Sequence, residues 1–462
     1  MTQDRRPTSC LVTDDTLAIC TDLYQLTMMA AYWANGVKDT GVFELFTRKL
    51  PSNRNFLVIA GLEQALHYLE ALRFTSDEIS YLRGLPAFKG VAPGFFDFLA
   101  GFRFSGDVYA MPEGTVAFAN EPLLRVSAPM AEAQLVETYL LATLNFQTLV
   151  ASKAARVVMA ARGRPVAEFG SRRAHGFQAG ALAARASYVA GCASTSNVLA
   201  GRRCGIPVTG TAAHSFTMVF PRELDAFRAY YRVFPDNCIL LLDTYDTIEG
   251  ARNAVRTAKN IKAVRLDSGD LDTLSRRVRA ILDEAGMERV KIVASGDLNE
   301  HKIDKLLRNG APIDLFGVGT EMATSRDAPS LNGVYKLVEI RQGGRGVPKI
   351  KLSADKATYP HAKQVYRQQD VAGRFARDVI GLYEEDIEGE PLLQQVVKDG
   401  QRCYDLPPLE ASRERALRQI ERLPEPLKQI EAEAEYDVQW SPGLECARRD
   451  LIEREPYKDA SG

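Results

Sequence analysis

Cys238-Ile-Leu-Leu-Leu-Asp243, Ile261-Lys-Ala-Val-Arg-Leu-Asp267, Val290-Lys-Ile-Val-Ala294 and Ile313-Asp-Leu-Phe-Gly317 are four apolar runs. Each is bounded by turn residues and short enough to be a buried strand. The stretches between them have helical spacing. Thr247 to Asn260 is one, and Leu271 to Met287 is a longer one with Leu271, Leu274, Val278 and Ile281-Leu282 on one face. Asn299 to Asn309 is a third, ended by Gly310. Strands that alternate with helices imply right-handed crossovers and a parallel sheet, so the centre of the chain reads as α/β.

The polar residues of this rhythm gather at one place in each repeat. Asp243 and Asp246, then Arg265, Asp267 and Asp270, then Ser295, Gly296 and Asp297, then Gly317, Gly319 and Thr320 all fall at or just after a strand end. Asp and Gly are common there as helix caps and turns. Four such tips in succession instead favour a functional rim, as at the strand C-termini of an α/β barrel. Ser295-Gly-Asp-Leu-Asn299 and Phe316-Gly-Val-Gly-Thr320 are consecutive glycine loops whose N–H groups suit a sugar phosphate. Neither a GxxxxGK[ST] loop nor a GxGxxG fingerprint occurs.

Upstream, Val208-Thr-Gly-Thr-Ala-Ala-His-Ser215 reads as the tail of a buried strand leading into a tight loop that presents His214. A histidine after a strand is most often structural. Imidazole is also a base, metal ligand or nucleophile, and only four other histidines compete: His67, His175, His301 and His361. Glu168-Phe-Gly-Ser-Arg-Arg173 follows the strand-like Pro165-Val-Ala167. That brings the Phe169 ring to the same rim, suited to a flat heteroaromatic ligand, with Arg172 and Arg173 suited to carboxylate or phosphate. A core phenylalanine beside surface arginines is the bland alternative. Ala193-Ser-Thr-Ser-Asn197 precedes a helix beginning near Val198 and serves either as a cap run or as hydroxyls offered to an anion.

With 462 residues the chain is too long for one simple core. Its 58 basic and 59 acidic residues leave a net charge of -1, which points away from nucleic acid and membrane surfaces. The seven cysteines include no CxxC pair, and Met1 to Thr13 is polar without a signal-like apolar region, so a reduced, cytoplasmic protein is expected. Leu17 to Gly36 reads as helix, Val42 to Arg48 and Val347 to Leu352 as strands, and Glu410 to Glu433 as a charged helix before a fraying Asp459-Ala-Ser-Gly462 tail.

Taken together these residues resemble nicotinate phosphoribosyltransferase. The resemblance rests on Asp22-Leu-Tyr-Gln-Leu-Thr-Met28, Phe43 to Pro51 with Gly61-Leu62, Glu137-Thr138 to Asn145-Phe-Gln-Thr148, and Lys153-Ala-Ala-Arg156. It continues through Glu168 to Arg173, Gly210-Thr-Ala-Ala-His-Ser215, Val264 to Asp270, Gly317-Val-Gly-Thr320 and Gly333-Val-Tyr-Lys-Leu337. One departure is Pro360-His361-Ala-Lys363, where the family has Pro-Gly-x-Lys.

The resemblance implies a homodimer of type II phosphoribosyltransferase fold with active sites at the subunit interface. An irregular, TIM-like α/β barrel spans 145–340, and a mixed α+β domain is built from 1–144 and a C-terminal segment, 341–462, that packs back on it. It also implies condensation of nicotinate with phosphoribosyl pyrophosphate, with ATP as co-substrate and Mg²⁺ as cofactor. His214 is then a phosphohistidine and Asp267 a second catalytic group. Phe169, Tyr24 of the partner subunit, Thr211, Arg265 and Ser196 would hold nicotinate. Arg172, Asp243, Ser295, Gly296, Gly319, Thr320 and Thr358 would hold the phosphoribosyl and phosphate groups, with Asp243 and Asp267 toward the metal. The related nicotinamide enzyme has an aspartate in the motif matching Ser194 to Asn197; a serine at 196 spares nicotinate a like charge. Competing readings are a nicotinamide or quinolinate enzyme, a sugar-phosphate aldolase or isomerase, and a catalytically inert scaffold.

Overall fold

The computed structural model describes residues 10–351, 358–431 and 433–454. The tail at Asp459 and the Leu352 end of the expected strand lie outside the described residues.

The four central runs form neighbouring strands of one parallel sheet: Ile239–Leu241, Ala263–Leu266, Lys291–Ala294 and Leu315–Val318. Val166–Glu168 and then Ser194–Thr195 extend it beyond Leu315–Val318. The intervening helices are Thr247–Thr257, Leu271–Glu284 and Glu300–Arg308. Their starts are set locally: Asp246 accepts from the Ile248 and Glu249 amides, Asp270 from Asp272 and Thr273, and Asn299 from Lys302. Two acids of the expected rim, Asp246 and Asp270, are therefore helix caps.

The sheet curls into a half-barrel of six strands, with Ile239–Leu241 and Ser194–Thr195 as its two edges. The strand expected before His214 shrinks to one bridge, Thr195 to Val208. Pro207 has no N–H to give the ladder, Val208 is 52% exposed, and the chain turns at Gly210 into the helix His214–Met218. The 24-residue helix Glu137–Ala160 lies beside the helices Phe177–Val189 and Glu300–Arg308, and its Val150, Ala151, Ala154 and Val157 join the same core as Val264, Ile292 and Phe316 of the sheet.

A second core surrounds a seven-stranded antiparallel sheet drawn from both ends of the chain. Thr40–Thr47 pairs with Gly333–Gln342 on one side and Leu124–Pro129 on the other, and Gln394–Lys398 joins through Asp107–Ala110. Phe43 and Tyr335 stack with centroids 4.9 Å apart across this sheet. The helix expected over Glu410 to Glu433 runs only from Leu409 to Glu421, because Pro424 and Pro426 tighten the chain into the 3-10 turn Glu425–Lys428. The N-terminal helix is Leu23–Ala34, preceded by a separate turn at Leu17–Ile19. Among the described residues, no helix is long and apolar enough to cross a membrane.

The C-terminal strands Lys363–Gln369 and Phe375–Leu382 are locked by a fully buried pair, Arg367 and Asp378. Tyr436 also donates to Asp378, and burial with Asp378 nearby pushes the Glu121 carboxyl well above the usual carboxylate range. Arg367→Met leaves these acids without their cation and is expected to cost about 3–5 kcal/mol. Urea denaturation measures it.

Candidate active site

The strand ends of the half-barrel surround two adjoining cavities of about 300 Å³ and 220 Å³ that share Phe169, Arg172, Arg265 and Asp267. Arg265 organises them. Its Nε donates to Ser295 Oγ at 2.7 Å, its Nη1 to Thr211 Oγ1 at 2.7 Å and its Nη2 to Asp267 Oδ1 at 2.6 Å. A guanidinium has five N–H donors, so two remain for a ligand. The Phe169 ring centroid lies 5.9 Å from the Arg265 guanidinium carbon.

Phe169 reaches this place because its amide continues the sheet, donating to Val318 O at 2.8 Å. Gly170 then turns the chain where a Cβ would come within 2.3 Å of Ala323 Cβ. Beneath the turn Glu168 is fully buried, accepting from Thr195 Oγ1 at 2.6 Å and from the Gly170 amide; burial pushes its carboxyl upward. Gly317 makes the space for the ring, since a Cβ there would stand 2.5 Å from Phe169 Cε2.

The first cavity adds Ser171, Ser196, Thr211, His214 and Leu241. His214 Nε2 lies 3.8 Å from Asp267 Oδ2, and its Nδ1 is 3.3 Å from Thr244 Oγ1. Burial works to raise the Asp267 carboxyl, but the Ser295 hydroxyl and the Arg265 guanidinium outweigh it and hold the group below the usual carboxylate range. Asp267 is thus an anion at neutral pH, beside an imidazole whose side chain is 42% exposed. Arg172 and Arg173 are exposed at the cavity mouth, and neither has an acidic partner among the described residues.

The second cavity is lined by Ser295, Gly296, Asp297, Gly317, Gly319 and Thr320. Gly296 has φ +88° and lies so close to the neighbouring strand that a Cβ would sit 1.8 Å from Asp267 O. Asp297 follows, also in the left-handed region at φ 47°. Three glycines, Gly296, Gly317 and Gly319, thus line this cavity without side chains, beside Arg172, Arg173 and Arg265, an arrangement that suits an anion.

The structure brings together His214, Asp267, Phe169, Thr211, Arg265, Ser196 and Arg172 in the first cavity. Ser295, Gly296, Gly319 and Thr320 meet in the second. Three expected site residues line neither. Asp243 accepts from the Ser268 hydroxyl through Oδ2, while its buried Oδ1 has no hydrogen-bond partner. Tyr24 lies on the helix Leu23–Ala34, half exposed, taking a hydrogen bond from Gln25 Nε2 at 2.9 Å. Thr358 is buried and accepts from the Lys351 amide at 3.2 Å. Asn197 caps the helix Val198–Cys204, the bland reading of that hydroxyl run, while Ser196 beside it still faces the cavity.

Ser171, Leu241 and Thr244 were not singled out by sequence. Ser171 lies between the more conspicuous Phe169 and Arg172, and Thr244 between Asp243 and Asp246. Leu241 looks like any strand residue.

The fold and these cavities define an α/β protein with a crevice at the carboxyl ends of parallel strands, walled by one aromatic ring and bordered by arginines. Comparison with known proteins narrows this class. The nicotinate phosphoribosyltransferase N-terminal domain model matches residues 19–145, the nicotinate phosphoribosyltransferase family model residues 165–375, and the C-terminal domain model residues 386–447. Nicotinate phosphoribosyltransferase pncB2 of Mycobacterium tuberculosis is 48% identical over 421 residues, covering 90% of this chain and 89% of its own. The Bacillus subtilis nicotinate phosphoribosyltransferase is 43% identical over 392 residues, 82% of this chain and 79% of its own. The crystal structure of human nicotinic acid phosphoribosyltransferase superposes with a TM-score of 0.83 at 31% identity, over 93% of this chain and 99% of that one. The chain belongs to the nicotinate phosphoribosyltransferase family.

Gly296→Ala forces the 295–297 loop off Asp267. Binding of inorganic phosphate, followed by calorimetry, is expected to weaken on the order of tenfold, since small displacements at a site carry large costs. Circular dichroism should show the fold retained.

Proposed function

We propose that the protein condenses nicotinate with 5-phosphoribosyl 1-pyrophosphate to nicotinate mononucleotide and pyrophosphate, the first step of NAD salvage from nicotinate, and that ATP hydrolysis is coupled through His214. The observation that carries this reading is the Arg265 junction. One guanidinium stands between an aromatic face, the anion cradle and the Asp267–His214 pair.

Nicotinate stacks on Phe169, with its carboxylate toward the free Arg265 donors, Thr211 and Ser196. In a homodimer, Tyr24 of the partner subunit covers the other face of the ring. The sugar 5′-phosphate occupies the loops at Gly296, Gly319 and Thr320, and Arg172 and Ser295 border the ribose. The pyridine nitrogen lone pair then bonds to ribose C1 while the C1–O bond breaks and its electrons leave with pyrophosphate. The nitrogen is already nucleophilic, so alignment replaces a base. Positive charge grows on the sugar beside ionised Asp267, and negative charge on the leaving group beside Arg172.

Among the described residues no group of three or more His, Cys, Asp or Glu forms a metal cage. Magnesium needs only one or two carboxylates together with substrate phosphates, and the unpartnered Asp243 Oδ1 with Asp267 fits that donor set. When bound, it supplies positive charge against the pyrophosphate oxygens.

The coupling uses the His214 imidazole as a phosphoryl carrier. A ring nitrogen bonds to the γ-phosphorus of ATP as the P–O bond to ADP breaks; water later takes the phosphoryl group as inorganic phosphate.

Product formation from nicotinate and phosphoribosyl pyrophosphate with Mg²⁺, measured with and without ATP, tests the reading. Wild type should be stimulated by ATP, and His214→Ala should lose the stimulation while keeping a basal rate. Use of nicotinamide alone would reject the substrate assignment, and no product from either base would reject the reaction. Ser196→Asp should raise the KM for nicotinate by about tenfold, through a carboxylate facing the ligand's own. Unchanged preference between acid and amide would refute that role.

A further inference from the structure

The long helix Glu137–Ala160 is built of small and apolar residues where it meets the half-barrel, yet Lys153 is buried in its middle with 1% of its side chain exposed. A buried ammonium costs several kcal/mol unless it is paired, and here every partner belongs to the phosphate side of the site. Lys153 Nζ lies 2.7 Å from Glu300 Oε2, 2.9 Å from Asp327 Oδ1 and 3.9 Å from Glu321 Oε2. Glu300 is the first residue of the helix that follows the Ser295-Gly296-Asp297 loop. Glu321 follows Thr320 directly, and Asp327 closes the same segment. The two glycine loops of the second cavity thus meet, on their far side, at one cation.

Neighbouring contacts complete the tie. Arg54, 4% exposed, donates to both Asp327 oxygens at 2.8 and 3.0 Å and to Ser325 Oγ at 2.9 Å. Ser325 is itself buried and held at φ 42°. Burial opposes ionisation of Asp327, but Arg54 and Lys153 hold its carboxyl far below the usual range. Lys302 Nζ donates to Asp297 O at 2.7 Å from the solvent side. Arg156 differs: it donates to Glu300 at 3.1 Å and to Ile430 O at 2.7 Å, so it touches one loop's anchor and not the other's.

We infer that Lys153 is a positioning residue for the phosphate-binding half of the site: it joins the segments behind residues 295–297 and 317–320 and so sets the distance between the two loops. It also cancels acids that would otherwise stand behind an anion cradle. The inference rests on the proposed phosphate role of the second cavity, and its test separates the two.

Wild type, Lys153→Met, Asp327→Asn and Arg156→Met are titrated with ribose 5-phosphate by calorimetry, and their KM values are measured for both substrates. Lys153→Met is expected to weaken ribose 5-phosphate and raise the KM for phosphoribosyl pyrophosphate about tenfold, with the KM for nicotinate unchanged. Asp327→Asn should move the same constants in the same direction by less. Arg156→Met should lower Tm and leave ribose 5-phosphate binding unchanged. Unaltered phosphate binding in Lys153→Met, or equal weakening toward both substrates, overturns the inference. If Lys153→Met does not fold, unaltered binding in Asp327→Asn overturns it. Wild type that binds no ribose 5-phosphate removes the phosphate reading, and this inference with it.

Discussion

The Arg265 guanidinium joins three segments that are distant in sequence: Thr211 before the His214 helix, Asp267 at its own strand end and Ser295 at the next. Each bond is to an ionised or hydroxyl partner at 2.6–2.7 Å, and the group is mostly buried, so the junction is stiff. It keeps Asp267 ionised, and Asp267 in turn faces His214. Without this cation, Asp267 would keep mainly the Ser295 hydroxyl against its partial burial, and the two cavities would lose one of the four residues they share.

Around that junction the structure depends on missing side chains. Gly170, Gly296 and Gly317 each sit where a Cβ would strike backbone or a neighbouring side chain below 3.0 Å. Gly317 gives its space to Phe169, and Gly296 lets one strand tip lie against another. The result is a pair of cavities walled by one ring, several charged side chains and backbone that carries no side chain.

Two buried charge networks behave differently. Arg367 with Asp378 holds C-terminal strands together, and neither residue lines the two cavities at the half-barrel's strand ends. Lys153 with Glu300 and Asp327 spans the anchors of loops that line the site. Burial alone does not distinguish them; what each partner is attached to does.

The strand and helix rhythm from Cys238 to Gly317 was legible in sequence because period and capping act within four or five residues, and Asp246, Asp270 and Asn299 do cap their helices. The proline stop at Pro424 was equally local, though the charged pattern running past it hid it. Most candidate site residues were legible too, since strand tips converge in any parallel sheet. Only tertiary structure decided the rest: that the sheet stays a half-barrel, that Thr358 turns to Lys351 and Asp243 to Ser268, and that Ser171 and Leu241 line the cavity. It alone set Lys153 beneath the glycine loops. The physical reason is range: periodicity and capping are short-range properties of the chain, whereas these contacts, Thr358 to Lys351 aside, join positions tens to hundreds of residues apart that meet only when the core closes.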